Sequence, residues 1–320
     1  MSGSDLPIPS VFAPISTPAL MIRDLSWLLL AICAVIFLVV VYLLVHVVVR
    51  FRASRAPADQ EPPQVYGSHA IEIAWTVIPL LIVVVLFLAT ARTVFEIERA
   101  ALGGDGLRVT VVGHQWWWEF RYPDLDIVTA NELHLPVSDA GARRPALLHL
   151  ESVDVVHSFW IPQLNGKTDV IPNHPNRMWV EPLRVGTYYG QCAEYCGTQH
   201  ANMQIRVFVH SKEDFEAWVA GQRARAADAE ARAGRAVFLA TACVECHTVR
   251  GTLAKGTFGP DLTHLMSRTT LGAGVASNTP ENLKRWIHNP AHFKPGVLMP
   301  AMNLSDQEID AVVTYLVTLK

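Results

Sequence analysis

The chain is 320 residues long, with 51% hydrophobic and 17% charged residues and a formal net charge of −3. That length leaves room for two or more domains, and so large an apolar excess over an ordinary globular protein means that some hydrophobic surface faces lipid. The charge balance argues against a nucleic-acid binder, which needs a concentrated positive field.

Trp27 to Val49 gives 23 residues without Asp, Glu, Lys or Arg, and Ile73 to Ala91 gives 19. Each is close to the roughly 20 residues that cross a bilayer as a helix. The pattern predicts a two-helix transmembrane hairpin over residues 25–95. Two buried core helices are the alternative, disfavoured because such helices seldom stay apolar around the whole circumference. Pro79 is tolerable inside a lipid-embedded helix. Arg50, Arg52 and Arg55 follow the first span, whereas Arg23 is the single basic residue before it. The positive-inside rule then places the connecting loop in the cytoplasm and both termini outside. Residues 1–24 lack the pattern of a cleaved signal peptide and are expected to form a retained extracytoplasmic tail.

From Leu107 to His210 the texture changes. Stretches such as Arg108-Val109-Thr110-Val111-Val112 and Met203-Gln204-Ile205-Arg206-Val207 alternate, carry β-branched residues and are separated by Gly, Pro, Asn and Asp. This predicts an antiparallel β-sandwich or barrel, assigned here to residues 96–212. Ser211-Lys212-Glu213-Asp214 reads as a helix start, and the Ala/Arg/Glu stretch from Gln222 to Arg235 as a semi-rigid linker, so residues 213–233 are assigned to helix and linker. Residues 234–320 return to a helical pattern. Thr279-Pro280-Glu281 puts Pro at a first helical position, and Ser305-Asp306-Gln307-Glu308 is a capping box opening a last amphipathic helix. This segment is small for a self-sufficient core, so a bound group should help to fill it.

Four of the five cysteines fall in two tight motifs, and the fifth, Cys33, lies in the first span as a small packing residue. Cys243-Val244-Glu245-Cys246-His247 is the C-x-x-C-H attachment sequence of c-type haem. Two thiols add across the porphyrin vinyl groups while His247 reaches the iron. A redox-active disulfide is the alternative, and the adjacent His argues against it. Phe258-Gly259-Pro260-Asp261-Leu262 supplies a turn whose carbonyl would orient the His247 ring. The distal ligand of an electron carrier at relatively high potential should be a Met. Met299, in Lys294-Pro295-Gly296-Val297-Leu298-Met299-Pro300, is the choice over Met302, His264, His288 and His292.

The other motif, Cys192-Ala193-Glu194-Tyr195-Cys196-Gly197-Thr198-Gln199-His200-Ala201-Asn202-Met203, gathers two thiols, an imidazole and a thioether, with His157 upstream. Thiolate and thioether ligands select soft copper. Two cysteines four apart, with a His from each side, suit two coppers bridged by both sulfurs. A structural zinc held by Cys192, Cys196, His200 and His157 is one competing reading, and a disulfide another. Neither needs Met203.

With these motifs in order along the chain, the sequence resembles subunit II of cytochrome c oxidase, in the caa-type branch that carries a C-terminal cytochrome c domain. The resemblance also covers Ile71-Glu72-Ile73-Ala74-Trp75-Thr76 and the aromatic strand Gly113-His114-Gln115-Trp116-Trp117-Trp118. It implies a multidomain membrane protein made of a transmembrane hairpin, an all-β cupredoxin domain and a small all-α cytochrome c domain. It further implies a dinuclear copper A centre held by His157, Cys192, Cys196, His200, Met203 and the main-chain carbonyl of Glu194. The Glu194 side chain would contact magnesium at the boundary with subunit I. Trp116 matches the aromatic residue through which electrons reach copper, and Glu72 a carboxylate at the mouth of a proton channel, where a solvated helix cap is the alternative. Trp117 departs from the usual Tyr, and the fused haem lessens the need for docking a soluble cytochrome at Trp116. His114 is given no role.

The expected function is electron input to a haem-copper oxidase of the bacterial inner membrane, through covalent haem c and copper A, with oxygen reduced in subunit I. Subunits I and III, membrane lipid and a cytochrome c or other respiratory donor are the expected partners. A copper-containing nitric oxide reductase subunit and the copper-free subunit of a quinol oxidase are the alternatives. The intact copper motif disagrees with the latter.

Overall fold

The computed structural model describes residues 9–52, 64, 66–101, 106–138, 145–225 and 231–320. Arg55 of the basic loop and residues 226–230 of the expected linker lie outside them. Contacts divide the chain into two units, Met21–Arg99 and a larger one formed by Met1–Leu20 with Ala100–Lys320.

Helices α1 (Thr17–Arg50) and α2 (His69–Ala101) supply the smaller unit. No residue of either apolar window is buried, and Phe37, Leu38 and Tyr42 on α1 and Phe87 and Leu88 on α2 are all exposed. A helix apolar all round and uncovered by protein belongs in lipid. Pro79 lies inside α2 as expected, and Glu72 sits in its first turn.

Ten strands build the β domain: β1 (Arg108–His114), β2 (Trp117–Tyr122), β3 (Ile127–Ala130), β4 (Glu132–Pro136), β5 (Ala146–Ser152), β6 (His157–Trp160), β7 (Thr168–Val170), β8 (Asn176–Val180), β9 (Gly186–Cys192) and β10 (Gln204–His210). They form two five-stranded sheets, in the orders β3-β2-β1-β5-β8 and β4-β10-β9-β6-β7. The sandwich is mixed rather than antiparallel. β1 runs parallel to β5, with Val111 opposite Leu150, and β4 runs parallel to β10, with Leu133 opposite Val207. Alternation along a strand fixes which face is buried but not the direction of the neighbour, so the sequence could not distinguish the two. Trp118, Phe120, Leu133, Leu150 and Phe159 are fully buried between the sheets, with Trp118 and Phe159 in edge-to-face contact at 5.3 Å. Ile15, within the expected extracytoplasmic tail, is buried in this core, where its amide donates to the Gln163 carbonyl and its carbonyl accepts from Leu183 N.

Helix α3 (Lys212–Arg223) begins where expected, with the Ser211 hydroxyl accepting from the Asp214 amide. Gln222, read as the start of the linker, is buried at its end and donates to the Ser267 hydroxyl. A polar side chain next to an Ala/Arg run gave no sign of that distant partner.

The C-terminal segment contains α4 (Arg232–Ala240), the short α5 (Cys243–Cys246), a hairpin of β11 (Thr270–Leu271) and β12 (Ala276–Ser277), α6 (Pro280–His288) and α7 (Asp306–Leu316). The expected caps are present: Thr279 accepts from Asn282 N with Pro280 in the first turn, and Ser305 and Glu308 form the capping box. Such a cap contributes about 1 kcal/mol. α4 crosses α7 so closely that a Cβ on Gly234 would stand 1.8 Å from the Ala311 carbonyl oxygen, which makes glycine obligatory at the crossing.

Candidate metal and haem centres

His157 opens β6 and Cys192 closes β9, two strands paired through Phe159 and Cys192. The chain then turns through Cys196 into a short 3-10 turn at His200–Asn202 and reaches Met203 just before β10. The Cys192 amide donates to the Met203 carbonyl, which closes the loop on itself. All five side chains are thereby gathered at one end of one sheet.

The two sulfurs stand 3.8 Å apart as free thiols. His157 Nδ1 lies 3.9 Å from Cys192 Sγ, His200 Nδ1 3.6 Å from Cys196 Sγ and Met203 Sδ 3.9 Å from Cys196 Sγ. The Glu194 carbonyl oxygen is 3.2 Å from Cys192 Sγ. His157, Cys192 and Cys196 offer ligand atoms within 4.8 Å of one another, and Met203 is fully buried beside them. A donor set of two thiols, two imidazoles, a thioether and a carbonyl fits soft copper, and the thioether has no place in the zinc reading.

Supporting contacts fix the candidate ligands. Asp154 accepts from His157 Nε2 at 2.9 Å, leaving Nδ1 for the sulfurs, the usual way in which an outer carboxylate sets a ligand's tautomer. Burial works to lower the His157 pKa, but its bonds to Asp154 and Cys192 outweigh burial and raise it. The two thiols lie in contact and interact strongly, so that their mutual hydrogen bond lowers the pKa of one, Cys192, and raises that of the other, Cys196.

Cys243, Cys246 and His247 lie on and just after α5. His247 Nδ1 donates to the Pro260 carbonyl at 2.8 Å, so the orienting carbonyl expected from the Phe258–Leu262 turn belongs to Pro260. Burial lowers the His247 pKa, which favours the neutral imidazole that ligates a metal. Gly259 passes so close that a Cβ would stand 2.6 Å from the His247 ring. The three residues border a cavity of about 570 Å³, together with Met299 and Met302. That volume is in the range of cofactor sites, and the donors around it fit an attached haem.

Met302, expected as core under the last helix, also borders the cavity and is half-buried. Met299 Sδ accepts from Trp286 Nε1 at 3.2 Å. His264 turns away: its Nδ1 pairs with the Lys320 carbonyl at 2.6 Å. His288 and His292 are exposed, and none of these three histidines lines the cavity.

The same cavity is walled on its other side by the β domain, through His114, Gln115, Trp116, Trp117, Asn131 and Asp154. Trp116 is 7% exposed, and its Nε1 donates to the Cys196 carbonyl at 2.9 Å. Two wall residues have no counterpart among the residues expected from the sequence. His114, given no role there, stacks on Trp117 at 4.0 Å. Arg268 is buried with its Nε lacking a hydrogen-bond partner among the described residues, although Nη2 donates to the Asp261 carbonyl. A buried cation at a cavity wall fits an anionic edge of the bound group, but one Arg in a loop carries no motif by which to find it.

Glu72 is half-buried in the first turn of α2, with an oxygen 3.5 Å from His69 Nδ1. It lies in the smaller unit and joins neither centre.

Residues 10–91 match the family model of the cytochrome c oxidase subunit II transmembrane domain, residues 140–210 that of its periplasmic domain and residues 231–320 that of cytochrome c. The cytochrome c oxidase subunit 2 of Alkalihalophilus pseudofirmus is 34% identical over 308 residues, covering 93% of this chain and 87% of that protein. The chain belongs to the cytochrome c oxidase subunit II family. The subunit 2 of Bacillus subtilis is 33% identical over 343 residues, covering 100% of this chain and 94% of that protein. A solved periplasmic domain of subunit II from Bradyrhizobium japonicum aligns over 38% of this chain and 96% of its own length, at 28% identity and a TM-score of 0.35. The protein is therefore a two-pass membrane subunit with a copper A domain and a cytochrome c domain, the electron-input component of an oxidase that works with subunit I.

Proposed function

We propose that this subunit II carries electrons from haem c, attached at Cys243 and Cys246 and ligated by His247 and Met299, to a dinuclear copper centre. Its copper ligands are His157, Cys192, Cys196, His200, Met203 and the Glu194 carbonyl. The observation that carries the reading is the shared wall: Trp116 borders the haem cavity and is hydrogen-bonded to the backbone of a copper-ligating cysteine. When bound, the two groups supply one-electron carriers, and oxygen reduction belongs to subunit I.

The chain's own residues give the rest. Cys192, Cys196, His157, His200 and Met203 would hold the copper, with His157 oriented by Asp154 and Met203 buried beside the two sulfurs. Trp116 and the Cys196 carbonyl form the short covalent and hydrogen-bonded route between the two centres. The Glu194 side chain would contribute to a magnesium site at the boundary with subunit I, and Glu72 would admit protons at the cytoplasmic side. Both metal domains lie outside the cytoplasmic membrane, subunit III completes the assembly, and a cytochrome c or another respiratory donor reduces the haem. The domain limits are those stated from the sequence, with the N-terminal tail contributing Ile15 to the copper domain.

The test is the purified complex, assayed for oxygen and nitric oxide consumption and for the mixed-valence two-copper spin signal, beside Cys196→Ser. Oxygen turnover, and loss of the copper signal with haem c retained in the variant, are expected. A persisting two-copper signal in Cys196→Ser, or turnover of nitric oxide alone, sinks the reading.

A further inference from the structure

The wall between the two centres contains a lysine that the electron route does not use. Lys294 is 1% exposed, a rare state for a residue whose charge is costly to bury. Its Nζ donates to three main-chain carbonyls: Trp116 at 2.6 Å, Asn202 at 2.8 Å and Gly272 at 2.9 Å. An ammonium has three donors and no acceptor, so this set matches its capacity. No carboxylate is paired with it among the described residues, and the carbonyl dipoles alone satisfy it.

The three acceptors come from three separate segments. Trp116 lies between β1 and β2, at the junction of cavity and copper loop. Asn202 is the residue before Met203, on the copper loop itself. Gly272 lies in the turn between β11 and β12 of the haem segment. Lys294, five residues before Met299, begins the loop that carries the distal ligand. One side chain thus ties that loop to the copper loop and to the aromatic wall.

Neighbouring bonds run along the same seam. Gln199 Nε2 donates to the Pro295 carbonyl at 2.5 Å, and the Gln204 amide to the Ala273 carbonyl at 3.2 Å. Glu132, buried on β4, accepts from Thr269 N at 2.7 Å, Thr269 Oγ1 at 2.6 Å and Thr270 N at 3.2 Å. Buried polar groups satisfied by distant segments fix one arrangement of those segments, because separating them leaves the donors unpaired. A mobile tethered domain would have a wet surface here instead.

We propose that Lys294 is a positioning residue that locks the haem segment onto the copper loops, so that the two electron carriers form a fixed pair rather than partners that meet by diffusion. The proposal rests on the assignment of the two centres given above. It implies that transfer between them is insensitive to solvent viscosity.

The test uses the full oxidase with both groups loaded, comparing wild type with Lys294→Met, an unbranched apolar side chain one atom shorter that lacks the donors. Two quantities are read: hydrogen exchange at the Gln204 amide, and the rate of haem-to-copper electron transfer after photoreduction of the haem, at several viscosities. In Lys294→Met the exchange should rise by about tenfold and the transfer rate, compared at equal driving force because loss of a buried positive charge shifts the potentials, should fall by about tenfold and become viscosity-dependent, with both spectra unchanged. Unchanged exchange and a viscosity-independent rate overturn the proposal. If Lys294→Met loses copper, Lys294→Gln, which retains amide donors, takes its place. Loss of copper there too means that the lysine supports the copper loop alone, and the interdomain role is refuted. Absence of a two-copper signal in the wild type refutes the site assignment instead, and the exchange measurement still reports on the lock.

Discussion

The indole nitrogen of Trp116 and the Gln115 amide side chain both donate to the carbonyl of Cys196, at 2.9 and 2.8 Å. One acceptor therefore serves two neighbouring donors, both at the cavity wall, and only Trp116 is aromatic. Trp116→Phe removes the link while Gln115 keeps the carbonyl satisfied, so its cost to folding should stay near about 1 kcal/mol. Truncation to Ala would cost about 3–5 kcal/mol and confuse the result. Slower haem-to-copper transfer with intact copper and haem spectra is expected for Trp116→Phe. An unchanged transfer rate would show that electrons take another path through the wall.

How much of this site was legible differs by residue. Cys192, Cys196, His200 and Met203 lie within twelve residues, so their spacing alone announced a soft-metal loop. His157 is 35 positions earlier; the sequence offered it as a candidate by residue type, and the pairing of β6 with β9 is what brings it to the cysteines. Lys294 stands in the sequence only as the first residue of the segment that carries Met299. Its partners at Trp116 and Asn202 are 178 and 92 positions away, and no local pattern encodes such contacts. The parallel pairs β1/β5 and β4/β10 escaped for a related reason, since burial alternation has no sense of direction.

A pH effect follows from His134, which is buried between the Phe208 and Trp218 rings and whose Nδ1 lies 2.8 Å from His210 Nε2. Burial, reinforced by the nearby His210 and Arg268, lowers its pKa from 6.5 to about 3. The unfolded chain binds this proton below about pH 6.5 and the folded chain only near 3, so stability rises with pH across that window and is lost on acidification. Each pH unit inside the window is worth about 1.4 kcal/mol, so the acid loss from this group reaches several kcal/mol. Thermal unfolding of the full chain between pH 7 and 4 should show a shallower acid limb for His134→Gln than for wild type, whatever its stability at neutral pH. Parallel limbs would assign the acid sensitivity to other groups.

Glu72 stands at the start of α2, where a carboxylate can cap the helix or pass protons. Glu72→Gln retains a side chain of the same size and can still accept from the helix amides. Reduced turnover at unchanged copper and haem content is the outcome expected of a proton route. A turnover equal to wild type at every pH, with at most a small loss of thermal stability, would make Glu72 a cap and nothing more.

The proposed distal-ligand role distinguishes two methionines three residues apart, both at the cavity that Cys243, Cys246 and His247 border. Met299 follows Pro295 and Gly296 and precedes Pro300, a constrained loop that holds a thioether in place at small entropic cost. The start of that loop is anchored by Lys294, and Met299 Sδ is already held by Trp286 Nε1 at 3.2 Å. Met302 has no hydrogen bond to its sulfur among the described residues and lies three positions before Ser305, the cap of α7. Met-to-Leu changes nearly conserve volume and cost less than about 1.5 kcal/mol, so either variant should fold and attach haem at Cys243 and Cys246. Met299→Leu should lose the weak far-red sulfur-to-iron absorption of the oxidised protein and lower the haem potential, because a thioether ligand raises that potential. Met302→Leu should keep both. The reverse result, with the band surviving in Met299→Leu and vanishing in Met302→Leu, transfers the ligand role to Met302 and means that the cavity rearranges around the haem, drawing the sulfur of Met302 rather than that of Met299 to the iron.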